Sequence, residues 1–268
     1  MPGMFDGVTR REWERAEPAL RAHPGPGRPR LAALLAACAP PALLAAAALL
    51  AAAGCASAPS PARDCIPQAE MPDPLRWLPP PPAEGSAAKA FDRARQEEAR
   101  ALRAADPARA ERAVRDAPFT WENFWDMVSP AYGRAISEAE TPALCAMLRF
   151  GLESARRSGK PAKVRYARVR PFAELGEPSL LPADEPFLAR NGSYPSGHAL
   201  NGWTAALLLS EVAPHRAEPI LARGLEIGDS RIVAGVHWQS DVDAARLVAR
   251  RGVDARAVHR ADAGHGLG

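Results

Sequence analysis

The sequence predicts an all-α fold, a single-domain helical bundle. Beyond Ser86 apolar residues recur at helical spacing in segment after segment. Only VRYARV, Val164 to Val169, alternates as a strand would, and it is short. No internal repeat marks a solenoid or propeller. A chain of 268 residues with 47% apolar content has ample material for a buried core.

Taken in order, residues 1–54 read as an N-terminal extension and export signal. The apolar run Leu31 to Ala53 follows Arg28 and Arg30 and closes on Gly54-Cys55, with small residues after it. A membrane-spanning helix is the competing reading, because the run could cross a bilayer. Pro40-Pro41 in its middle and its Ala-heavy content favour the signal. Ala52-Ala53-Gly54-Cys55 resembles a bacterial lipoprotein cleavage box, which would leave a lipid anchor at Cys55; cleavage after Ala56 or Ala58 is the alternative. The expected location is periplasmic or secreted, as a free enzyme or a membrane-anchored lipoprotein. Arg10-Arg11 lies too far upstream for a twin-arginine signal, and the length of residues 1–30 points to a start downstream of Met1.

Residues 55–85 are Pro-rich and read as a tether and arm, since each Pro removes a donor and fixes φ. Residues 86–268 make the helical domain. Its first two helices should break near Asp106-Pro107. Further helical patterns cover Thr120 to Val128, Ser137 to Ser158, Ala199 to Val212 and Glu218 to Arg251. The tail from Arg250 is polar and Gly-rich, so the last helix is expected to be shortened or lost. Cys65 and Cys145 stay open as a disulfide or as two thiols.

Formal charge is only +3, and the basic residues are 31 Arg against 3 Lys, a coding bias more than a nucleic-acid signal. No aromatic-interleaved basic patch supports a nucleic-acid partner. No CxxC or Cys/His cluster suggests a structural zinc site.

Three clusters carry the chemistry. The first, Lys163 to Pro171, supplies Lys163 and Arg170. In the second, Pro195 to His198, Ser196 is placed to cap a helix starting near Ala199, and Gly197 lets backbone approach a ligand, so N–H groups and the helix dipole converge on a volume that favours an anion. In the third, Arg231 follows Ser230, and His237 and Asp241 are four apart, so a carboxylate can accept from one imidazole nitrogen and leave the other reactive. Ser230 would share that face if the helix is continuous. Each cluster alone reads as a capped helix, a surface pair or a solvated basic stretch. Together they assemble permanent cations, neutral donors and two histidines, a set suited to a tetrahedral oxyanion.

K-x6-RP, PSGH and SR-x5-H-x3-D, in this order, resemble the tripartite signature of the type 2 phosphatidic acid phosphatase superfamily, which also includes vanadium haloperoxidases. GSYPSGH (Gly192 to His198), GVHWQSDVDA (Gly235 to Ala244) and WLPPPPA (Trp77 to Ala83) resemble the class A bacterial non-specific acid phosphatases, over roughly Leu78 to Val248. Ala234 stands where such proteins often carry a cysteine, which excludes a disulfide there. The resemblance implies hydrolysis of small phosphate monoesters of broad structure with no metal and no cofactor, because fixed cations stabilise the phosphate oxygens. In it His237 is the nucleophile that becomes phosphohistidine, Asp241 orients it, and His198 is the general acid and base. Lys163, Arg170, Ser196, Gly197 and Arg231 bind the phosphate. A homodimer is a further expectation. The alternatives are a vanadate-dependent haloperoxidase, a lipid phosphate phosphatase and a non-catalytic phosphate-binding protein.

Overall fold

A computed structural model describes residues 66–264, with side chains to Asp254 apart from Gln68, and the backbone of two paired segments, β1 (Met4–Phe5) and β2 (Val8–Thr9). The readings of the export signal, of Cys55 and of Cys65 lie outside the described residues. The fold is all-α, and β1 and β2 are the only strands among the described residues.

Capping residues set most of the boundaries. Ser86 accepts from the Lys89 N–H and starts α1 (Ala87–Ala105), and Asp106 both ends it and caps α2 (Pro107–Arg115), with Pro107 in the first turn. Thr120 caps α3 (Trp121–Tyr132), which stops at Gly133 in the left-handed region, φ 90°. Next come α4 (Pro142–Tyr166) and two short helices, α5 (Pro171–Leu175) and α6 (Glu185–Leu188). Then follow α7 (Gly197–Val212), α8 (Ala217–Val233) and α9 (Gln239–Gly264).

Helix α7 is the centre of the bundle. Its buried residues run around its whole circumference, as expected of a helix enclosed on all sides. It packs against α4, α8 and α9, and α8 also touches α1, α2 and α3. A Cβ on Gly224 would stand 2.4 Å from Ala206 Cβ and 3.0 Å from Gly202 O, so α7 and α8 reach this spacing only without a side chain there. The main apolar cluster joins Phe124, Trp125 and Val128 of α3 to Leu148 and Leu152 of α4, Leu208 and Leu209 of α7 and Ile227 of α8.

The Pro-rich arm lies on this body. Met71 and Leu78 are buried, the Ile66 N–H donates to Ser154 Oγ at 2.9 Å, and Pro79 O accepts from the Tyr194 hydroxyl at 2.6 Å. Cys145 is a buried free thiol 3.8 Å from Thr141 Oγ1.

Three expectations need correction. VRYARV is no strand: α4 runs through it to Tyr166, and the chain turns at Ala167, φ 40°. Six residues cannot separate period 2 from a helix end. The pattern from Glu218 to Arg251 is two helices, parted where Gly235 takes φ 77°, and the segment between them delivers His237. The last helix is not shortened, because α9 continues to Gly264. Val248 and Ala249 are buried on it, and Gly252 lies against Ala155 of α4, so packing holds a helix that its polar tail does not advertise.

Candidate active site

The N-terminus of α7 forms one wall. Ser196 caps the helix, its Oγ accepting from the Ala199 N–H at 3.4 Å, and its own N–H donates to Asp241 O at 3.0 Å, which ties the start of α7 to the start of α9. The preceding Tyr194–Pro195 bond is cis. Ser196, Gly197 and His198 are all buried. On the approach, Asn191 Nδ2 and Oδ1 and Ser193 Oγ are buried polar atoms with no hydrogen-bond partner among the described residues. Leaving such atoms unmatched costs about 1–3 kcal/mol each, so they are polar groups that water or a bound polar group would satisfy.

The predicted cations come from three elements. Lys163, near the end of α4, donates from Nζ to Gly192 O at 2.8 Å. A Cβ on Gly192 would stand 2.9 Å from both Ala167 Cα and Lys163 O, so glycine is required for this approach. Arg170, which precedes α5, donates from Nε to Leu188 O and Asn191 O, both at 2.9 Å, and from Nη1 to Val236 O at 3.0 Å. Carbonyls orient a guanidinium without cancelling its charge. Arg231 is buried on α8, and its carbonyl accepts from the N–H groups of Val236 and His237 at 3.2 and 3.3 Å.

His237 and Asp241 are fully buried. Nδ1 of the imidazole lies 3.3 Å from Asp241 Oδ2, and Arg170 Nη1 lies 3.1 Å from His237 Nε2. An arginine can only donate, so Nε2 holds a lone pair and the ring proton sits on Nδ1, toward the carboxylate. Burial alone would raise the Asp241 carboxyl, but the His237 hydrogen bond, the Arg168 guanidinium and the Trp238 N–H outweigh it and hold it below the ordinary value.

His198 has the opposite arrangement. Its Nε2 lies 2.9 Å from Ala117 O, and a carbonyl can only accept, so Nε2 carries a proton. Phe119 packs edge-on against the ring, with centroids 5.7 Å apart. These contacts join Ser196, Asp241, His237, Arg170 and Arg231; Lys163 meets the same 191–192 loop as Arg170, and Gly197 and His198 follow Ser196 in the first turn of α7. Ser230 does not join them as a helix-face neighbour of His237. Its Oγ donates to Asp116 Oδ2 at 2.7 Å, fixing the residue next to Ala117.

Sequence reasoning did not single out Asp116, nor a second set behind His237. Arg168 donates from Nη1 to Asp241 Oδ1 at 2.6 Å and from Nη2 to Asp92 Oδ2 at 2.7 Å. Gln96 Nε2 donates to His237 O at 2.7 Å, and Lys89 Nζ sits 4.2 Å over the Trp238 ring. Arg168 lies inside the first basic cluster, so the sequence offered a signal for it. Lys89, Asp92 and Gln96 had only helical spacing in common, which also describes a solvated face. Among the described residues no group of three or more His, Cys, Asp or Glu could hold a metal ion.

The PAP2 superfamily model matches residues 143–252, which contain all eight predicted residues. The chain is 43% identical over 178 residues to a non-specific acid phosphatase of Providencia stuartii, covering 66% of this chain and 71% of that one. It is 39% identical over 173 residues to a non-specific acid phosphatase of Salmonella typhimurium, covering 64% and 68%. An acid phosphatase of Zymomonas mobilis is 36% identical over 177 residues, 66% of each chain. With that much of these relatives matched, the chain belongs to the PAP2 superfamily.

Proposed function

We propose that this acid phosphatase hydrolyses small phosphate monoesters of broad structure, without a metal, through a phosphohistidine on His237. The observation that carries the reading is the contact between Arg170 Nη1 and His237 Nε2, with Nδ1 turned to Asp241. It holds the lone pair on the nitrogen farther from the carboxylate, beside a residue suited to binding phosphate oxygens.

In the first step Nε2 attacks phosphorus in line, the bond to the leaving oxygen breaks, and His198 gives that oxygen a proton. Its Nε2–H is engaged by Ala117 O, so the proton passes from Nδ1. In the second step Nδ1 takes a proton from water as the water oxygen attacks phosphorus, the P–N bond breaks, and inorganic phosphate leaves. Lys163, Arg170, Arg231, the Ser196 hydroxyl and the Gly197 N–H stabilise the equatorial oxygens. Losing one such preorganised donor typically costs about 3 kcal/mol of transition-state stabilisation. Asp241, kept ionised, supports the positive charge that develops on His237.

The test is chemical trapping. Quenching the enzyme during turnover of labelled p-nitrophenyl phosphate is expected to give acid-labile, base-stable phosphate on His237, and His237→Ala is expected to lose more than about a thousandfold in kcat. Phosphate on another residue, or turnover by His237→Ala, refutes the mechanism. Turnover that EDTA abolishes refutes the metal-free part. Vanadate is expected to inhibit; halide oxidation in vanadate and peroxide would favour the haloperoxidase alternative instead.

The proposal extends to placement. Among the described residues no helix is long and apolar enough to cross a membrane. The apolar run before Gly54 is read as an export signal that delivers the enzyme to the periplasm or beyond, with lipidation of Cys55 as one way to retain it. Mass spectrometry of the mature N-terminus tests both, and sedimentation tests the homodimer.

A further inference from the structure

Behind the Asp241 carboxylate lie two buried charges, Arg168 and Asp92, that the mechanism above does not use. Asp241 Oδ2 serves His237 and the Trp238 N–H, while Oδ1 is taken by Arg168 Nη1 at 2.6 Å. The other arm of Arg168 reaches Asp92 Oδ2 at 2.7 Å. The Arg168 side chain is 7% exposed, and those of Asp92 and Asp241 are 1% and 0%. Asp92 further accepts from the Ser240 N–H at 2.9 Å and from its hydroxyl at 2.6 Å, and Arg168 Nη1 also meets Ser240 Oγ at 2.7 Å. The Arg168 backbone is held too, its carbonyl accepting from the Ser193 N–H at 2.9 Å.

A buried carboxylate is costly, and it is retained where something requires its charge. Seen from His237, Arg168 cancels Asp241. An Asp241 with a cancelled charge would give little support to a cationic phosphohistidine. Asp92 restores the balance, because the two carboxylates and one guanidinium together carry one net negative charge. We propose that Asp92 and Arg168 are a positioning pair for the nucleophile, in which Arg168 fixes the Asp241 carboxylate and Asp92 returns the charge that Arg168 removes. The pair touches neither substrate nor reacting atoms and acts through Asp241.

This rests on the reading of His237 as the nucleophile, and the test separates the two. Asp92→Asn keeps the shape and removes the charge. A buried charge two links behind the imidazole acts through a poorly screening interior, so its loss is expected to cost about tenfold or more in a step that develops positive charge on the ring. The expected result with p-nitrophenyl phosphate is a kcat about ten- to a hundredfold lower, with KM and the inhibition constant of inorganic phosphate within about threefold of wild type. Ser240→Ala, which keeps every charge, is expected to lose less than about threefold. The double variant D92N/R168Q removes both charges and leaves Asp241 alone, so it is expected to recover at least about fivefold over Asp92→Asn. If Asp92→Asn does not fold, the double variant is compared with wild type: a kcat within about tenfold supports the pair, and a larger loss overturns it. A wild-type kcat in Asp92→Asn, an equal loss in Ser240→Ala, or no recovery in the double variant also overturns it. His237→Ala runs beside these as the control: activity retained there sinks the nucleophile itself, whereas an inactive His237→Ala beside a fully active Asp92→Asn sinks only the pair.

Discussion

Arg170→Lys keeps the positive charge and removes the fork, so it separates what charge does at this position from what geometry does. The guanidinium holds Leu188 O, Asn191 O and Val236 O at 2.9–3.0 Å and reaches His237 Nε2 at 3.1 Å, with 1% of the residue exposed. A lysine ammonium is a single point on a shorter reach and cannot span acceptors on both the 188–191 loop and the 236–237 segment. At least one buried carbonyl loses its donor, at about 1–3 kcal/mol, and the ammonium gives up part of its own solvation. The expected loss of stability is about 2–4 kcal/mol. At roughly 2–4 °C per kcal/mol for a domain of this size, the unfolding midpoint falls by roughly 5–15 °C in calorimetry. His237 loses the partner that fixes its ring, and the transition state loses a forked donor, so kcat for p-nitrophenyl phosphate is expected to fall by about a hundred- to a thousandfold. A Lys variant melting within about 2 °C of wild type with kcat within about threefold would show that charge alone suffices and that the fork reasoning is wrong.

The remaining expectations are shorter. Gly224→Ala puts a methyl 2.4 Å from Ala206 Cβ and 3.0 Å from Gly202 O, so α7 and α8 must part, at about 1–3 kcal/mol; an unchanged denaturation midpoint would contradict the close approach. His198→Gln can still donate to Ala117 O from the Nε2 position but cannot shuttle a proton; kcat is expected to drop by about a hundredfold or more for alkyl phosphates and much less for p-nitrophenyl phosphate, and equal losses would argue against a general acid. Asp241 sits below its ordinary value of 3.8, so the stability it contributes is complete above that pH and drains as pH falls through its lower folded value; Asp241→Asn should flatten the acid limb of a stability profile below about pH 4, and parallel limbs would refute this.

The eight candidate residues could be picked out because each belongs to a short local pattern: a cap followed by glycine and histidine, a histidine four before an aspartate, a basic stretch before proline. What holds them was not, because it depends on which helix lies behind which. Helix α1 is the clearest case. Phe91 and Leu102, the residues that hydropathy would send inward, are 56% and 43% exposed, while Lys89, Asp92 and Gln96 are buried. A polar stripe at helical spacing reads as a solvated face until it is known that it meets Glu174, Arg168 and the His237 carbonyl. The division of α8 from α9 was hidden for a related reason. Ser230 and His237, seven apart, fit one helical face on paper, and only the left-handed Gly235 between them commits Ser230 to Asp116 instead. The fold class survived these errors, since the enclosed α7 and the capped starts of α1, α2 and α3 are set by local sequence.

The two histidines are the same side chain, both buried, and one neighbour each gives them different chemistry. Ala117 O can only accept, so His198 presents its Nε2–H to that carbonyl and leaves Nδ1 as the other ring nitrogen. Arg170 can never accept, so protonating His237 at Nε2 must break the contact that orients the ring. In the proposed mechanism His198 therefore exchanges its proton at Nδ1, and His237 attacks from the nitrogen that Arg170 contacts. A charged acid facing an uncharged nucleophile is the combination that an in-line displacement needs in its first step. The tautomers that the proposed pair would need are set here by a backbone carbonyl and a guanidinium, two partners whose roles in a hydrogen bond cannot be exchanged.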